Sequence, residues 1–129
     1  MRHRINNYLE KHYKILMALG ILNAIAIFII SSISFDNTGI SAEKFSLLPF
    51  IYHFFSFFFL SFFILSGLRQ KPEIRRRFFV LLFILIIYAI SDEVHQLFTP
   101  GRFATATDVI INFFGIGVGS GVYWWIRNN

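Results

Sequence analysis

The feature that most constrains this chain is a set of four apolar runs, at 15–33, 47–68, 78–91 and 109–126, with polar residues gathered between them. A bilayer core about 30 Å thick requires about 20 residues of helix at about 1.5 Å each. The first two runs meet that length and the fourth nearly does. The third, at 14 residues, stops about 9 Å short. Runs this long, with Gly and Ser inside them, are too long for barrel strands, so the expected fold is all-α, a small transmembrane bundle of four helices in one domain, 1–129. Composition agrees. Charged residues make up 15% of the chain, against roughly 25% in soluble domains. Eighteen Phe among 129 residues are more than so small a soluble core could hide. A soluble enzyme, a disordered tail and a nucleic-acid reader are excluded, the last despite the net charge of +5. With no Cys, disulfides and thiolate metal sites are excluded as well.

The first run has basic residues before it and Ser32-Ile33-Ser34 after it, as a signal peptide would. Its apolar part of about 19 residues exceeds the usual 7 to 15, so it reads as an uncleaved anchor. Orientation follows from Lys and Arg. Arg2, Arg4, Lys11 and Lys14 precede the first span, and Arg69, Lys71, Arg75, Arg76 and Arg77 fill the second loop. The first loop has only Lys44, the third only Arg102, and the tail only Arg127. This alternation predicts cytoplasmic N- and C-termini, with the first and third loops outside the cell membrane.

The short third run can cross only by continuing through Asp92, Glu93, Val94, His95, Gln96, Leu97 and Phe98, stopping before Pro100, which disfavours helix in the residue ahead of it. The third span is then 78–98, and it draws two carboxylates, an imidazole and an amide into the outer part of the bilayer. Ionisable groups at that depth turn to the bundle interior or a wet cavity. Asp92 and Gln96 are four apart, Glu93 and Gln96 three, so they are neighbours on the helix surface. His53 lies about 9 Å into the second span, and Asn112 about 10 Å into a fourth helix starting near Thr105. Three helices thus carry polar side chains at one depth.

Thr99-Pro100-Gly101-Arg102 suits a type I or II turn. Thr105-Ala106-Thr107-Asp108 has the spacing of a capping box, with Asp in place of Glu or Gln. Arg102 is placed to fold back onto Asp92, Glu93 or Asp108, or to meet an anionic ligand. Asp108, Asn112, Gly115 and Gly119 form one stripe on the fourth helix. Gly115/Gly119 and Gly117/Gly121 are two small-xxx-small pairs, either of which suits close packing or a homo-oligomer.

The stretch from Asp92 to Arg102, followed by Asp108, Asn112 and Gly115, resembles the VanZ-like membrane protein family, with its Glu-x-x-Gln, Pro-Gly-Arg and Asp-x-x-x-Asn signature. His53-Phe54 matches the His-Phe of that family's earlier span. The chain departs from the family where a basic residue usually precedes that His and an acidic one follows: Phe50, Ile51 and Tyr52 stand before it and Ser56 after. The resemblance implies a cell-envelope role and a link to teicoplanin-type glycopeptide tolerance, with a lipid-linked cell-wall precursor or the glycopeptide itself as partner in the lipid bilayer.

Three functions stay open on the residues. In the first, His53, Asp92, Glu93, His95, Gln96, Arg102, Asp108 and Asn112 bind an anionic lipid or precursor head group. In the second, the chain is a membrane enzyme, with Glu93 or His95 as base or a divalent ion among the carboxylates and imidazoles. In the third, the network only locks the helices together. No nucleophile motif or characteristic ligand spacing is present, so neither a metal nor another cofactor is expected.

Overall fold

The computed structural model describes residues 2–33, 47–68, 73–102 and 104–128. They form four helices, α1 (Arg2–Ser31), α2 (Leu48–Ser66), α3 (Ile74–Gln96) and α4 (Ala106–Asn128). All four are long and apolar enough to cross a membrane. Lys44, Arg69 and Lys71, which carry part of the charge alternation, lie outside the described residues.

Each boundary has a local cause. Pro49 sits in the first turn of α2, where its missing N–H costs nothing. α3 runs through Asp92 and Glu93 as its short apolar run requires, but it begins at Ile74, drawing Arg75–Arg77 into its first turn. It ends at Gln96, two residues before the expected end. The following amides of Leu97, Phe98 and Thr99 still bond back to Glu93, His95 and Gln96. The Arg102 amide then donates to the Thr99 carbonyl at 3.1 Å, and Gly101 has φ 75°. That positive φ at the third position makes the turn type II. Thr105 caps α4: its hydroxyl accepts from the Asp108 amide at 3.2 Å, while Asp108 Oδ2 accepts from the Thr105 amide at 3.3 Å. This is the reciprocal capping box, with Asp serving at its third position.

α1 differs most from expectation. It is helical from Arg2, well before residue 15, and is kinked at His12, where φ is −108° and ψ 16°. The segment before the kink is held in place: Leu9 is buried and Glu10 Oε1 accepts from Arg127 Nη2 at 2.6 Å. The start of α1 and the last turn of α4 therefore meet at one end of the bundle, as an even number of crossings demands.

The interior is layered. Ile27, Phe57, Leu60, Leu85, Ala89 and Ile116 pack together in the middle. Leu65, Leu68, Phe78 and Tyr123 form a second layer toward the Arg127 end. Phe55, Phe59, Phe83, Ile87 and Phe114 are exposed, as lipid-facing side chains are. Within residues 54–63 only Phe55 and Phe59 are exposed, Phe57 is fully buried, and the other Phe side chains are partly buried.

α4 lies on α2 through its glycine stripe. A Cβ on Gly115 would come within 2.5 Å of the Phe54 carbonyl, and one on Gly119 would collide with Ser61 Oγ and the Phe58 carbonyl. The stripe is thus used inside the chain and is closed to a second copy. Gly117 and Gly121 face open space. Gly119→Ala is expected to cost about 1–3 kcal/mol by overpacking. Gly121→Ala is expected to stay within about 0.5 kcal/mol of wild type. Thermal unfolding of both variants in detergent measures the difference.

Candidate functional site

α3 brings two carboxylates into the bundle side by side, and the neighbouring helices meet them. Glu93, Asp92, His53, Gln96 and Asn112 are each at most 4% exposed. Glu93 Oε1 accepts from Asn112 Nδ2 at 2.7 Å. The other end of that amide, Asn112 Oδ1, lies 2.9 Å from His53 Nδ1. A carboxylate only accepts, so the amide turns its NH2 to Glu93 and its carbonyl to His53, and Nδ1 carries the ring proton. Asn112 thereby links α3 to α2. His53 Nδ1 is also 3.5 Å from Glu93 Oε1.

Asp92, beside Glu93, is tied to its own helix and to α1. Its Oδ2 accepts from Gln96 Nε2 at 3.1 Å, one turn along. Gln96 Nε2 also reaches Ser31 Oγ on α1 at 3.5 Å. One oxygen of each carboxylate, Asp92 Oδ1 and Glu93 Oε2, is buried with no hydrogen-bond partner. A ring nitrogen of His53 and one oxygen each of Asp92 and Glu93 lie within 4.8 Å of one another.

The remaining candidates are placed differently from the single face read in sequence. His95 points to α1, where Nε2 is 2.9 Å from Ser32 Oγ and the ring stacks on Phe28 with centroids 4.7 Å apart. Asp108 turns back onto Thr105, whose hydroxyl donates to Oδ2 at 2.7 Å, so it acts as a helix cap beside the cluster. Arg102 Nε donates to the Ile33 carbonyl at 3.2 Å, and Nη2 donates to the Ile30 carbonyl. Ile30 is in the last turn of α1, where its carbonyl also accepts from the Ile33 amide at 3.2 Å, and Ile33 lies just past the helix. The guanidinium thus sits at the negative end of the α1 dipole. Burial pulls the guanidinium below its ordinary value, while Tyr52, Asp92 and Glu93 push it back up. Arg102 stays charged and is within electrostatic reach of both carboxylates.

Sequence reasoning missed the share of α1 in this region. The signal was the Ser31-Ser32 pair at the end of an otherwise greasy helix, at the depth of Gln96 and His95.

Four membrane-length helices closing on buried polar side chains define a multi-pass integral membrane protein. A family model described as VanZ/LLP1 matches residues 6–127, nearly the whole chain, and the protein belongs to that family. No curated protein and no solved structure matches the chain.

Asn112→Leu removes the link between His53 and Glu93 and leaves both with unmet polar atoms. Its expected cost is about 1–3 kcal/mol. His95→Ala, on a half-exposed contact, is expected to stay within about 0.5 kcal/mol. Chemical or thermal unfolding of the two variants checks the ranking.

Proposed function

We propose that this chain is a cell-envelope membrane protein whose polar cluster lies at the outer face and binds the head group of an anionic lipid or lipid-linked cell-wall precursor. Through that ligand it contributes to tolerance of teicoplanin-type glycopeptides. The observation that carries the reading is the buried polar cluster of His53, Asp92, Glu93, Gln96 and Asn112, beside the turn that bears Arg102. Apolar bundles keep intramembrane ionisable groups for a task. Arg102 supplies a guanidinium fork suited to a phosphate. The buried carboxylates of Asp92 and Glu93 act on Arg102 electrostatically and hold its charge beside the cluster. The outward placement of this end rests on the basic residues Arg75–Arg77 at the opposite end of α3. An open apolar surface between α2 and α4, lined by Phe50, Phe54, Ile111 and Phe114 among others, suits an acyl chain.

Two experiments test this. The chain has no cysteine of its own, so single thiols report topology without background. A membrane-impermeant maleimide is expected to label Phe98→Cys in intact cells, and Asn128→Cys only after lysis. The reverse pattern would put the cluster on the wrong side for this ligand. Labelled lipid-linked precursor is expected to bind the purified protein, and Arg102→Ala to weaken binding at least about tenfold, the loss of one charge-assisted contact. Equal binding by both proteins removes Arg102 from the site. No binding by either, with teicoplanin tolerance unchanged in Glu93→Gln cells, leaves the network with a purely structural role.

A further inference from the structure

The two carboxylates raise a problem that the protein's own hydrogen bonds leave unsolved. Asp92 and Glu93 are adjacent in sequence, both buried, and each keeps one oxygen without a partner. A buried polar atom left unsatisfied costs about 1–3 kcal/mol, and more when it is charged. Two such oxygens in one place call for something that meets both.

We propose that His53, Asp92 and Glu93 hold one divalent cation of the zinc or manganese kind. One donor atom from each of the three residues lies within 4.8 Å of the other two. Ligand atoms bonded to a cation at about 2.0–2.2 Å sit up to about 4.4 Å apart, so small side-chain rotations close the shell. The imidazole is prepared for the task. Its Nδ1 lies 2.9 Å from Asn112 Oδ1 and 3.5 Å from Glu93 Oε1, so the ring is already held at the edge of the carboxylates, and the neutral imidazole keeps one lone pair for a cation. Asn112 is in turn fixed by Glu93, and Asp92 by Gln96, so both carboxylates have an amide support. One nitrogen with two carboxylate oxygens is a mixed donor set. It suits Zn2+ or Mn2+, whereas Ca2+ and Mg2+ prefer oxygen alone.

Sequence spacing gives no hint of this site. His53 and the two carboxylates are 39 and 40 positions apart, and adjacent carboxylates are usually solvated. Only the crossing of α2 and α3 joins them. The cation would also offset the negative charge beside Arg102, but the site does not depend on a head group. The test is therefore made without lipid.

The full chain, purified in detergent and stripped with a chelator, is titrated with Zn2+ and with Mn2+. The expected result is one equivalent bound per chain with a rise in Tm. X-ray absorption at the Zn edge should show one imidazole among oxygen ligands. Asp92→Asn, Glu93→Gln and His53→Gln are each expected to weaken binding at least about tenfold, while His12→Gln and His95→Gln leave it unchanged. Failure of the folded wild-type chain to bind either ion would overturn the proposal, as would binding of Ca2+ or Mg2+ alone. So would affinity that survives intact in Asp92→Asn and Glu93→Gln, or an absorption spectrum without imidazole. Because no lipid is present, none of these outcomes bears on precursor binding, and loss of precursor binding leaves the metal result standing.

Discussion

The structure depends on one bridge, the Asn112 amide held between the Glu93 carboxylate and the His53 ring. Lipid offers no hydrogen-bonding partner, so each buried polar group must find one within the chain. Glu93 is forced inside because α3 lacks the apolar length to cross without it. Once inside, it dictates what must stand on the facing helices. An amide fits because it can donate to the carboxylate with one end and accept from the imidazole with the other. A carboxylate at position 112 could not donate to Glu93, and a serine hydroxyl, although it both donates and accepts, is too short to span the same gap.

That bridge spans three helices only because two of them nearly touch. Gly115 and Gly119 bring α4 against the backbone of α2 at Phe54 and Phe58. Asn112 lies one turn from Gly115, so the close approach sets its distance to His53. Packing and polar recognition are thus one design: the glycines remove side-chain bulk, and the space gained is short enough for a single hydrogen bond. The apolar layer of Phe57, Leu60, Leu85, Ala89 and Ile116 continues below the bridge and keeps water from reaching it from the other end.

Much of this was legible in the residues. The four spans, the run of α3 through its carboxylates, the Pro-Gly turn and the Thr105–Asp108 cap all follow from length, residue type and spacing. Each is a local property, decided within a few residues. The same face of α4 that carries Asn112 carries the glycines, so their common partner was readable, though not that it would be α2. What stayed hidden was nonlocal and made of ordinary material. Arg102 binds main-chain carbonyls of Ile30 and Ile33, and every residue has a carbonyl, so no sequence marks the receiving end. Glu10 and Arg127 are 117 positions apart and look like isolated surface charges until the fold joins them. Asp108, alone among the acidic candidates, is satisfied within its own turn, which spacing allowed but could not choose over an inward role.

The contact between Arg102 and the end of α1 also orders events during folding. Helix α1 precedes the other three helices in the chain, and the carbonyls of Ile33 and Ile30 receive a side chain that lies 69 and 72 residues further on. Until the α3–α4 connection is made, the Ile30 carbonyl has only the Ile33 amide, and neither carbonyl has its side-chain partner. Final docking of α1 is therefore a late step of folding, completed only when the α3–α4 loop that carries Arg102 is in place.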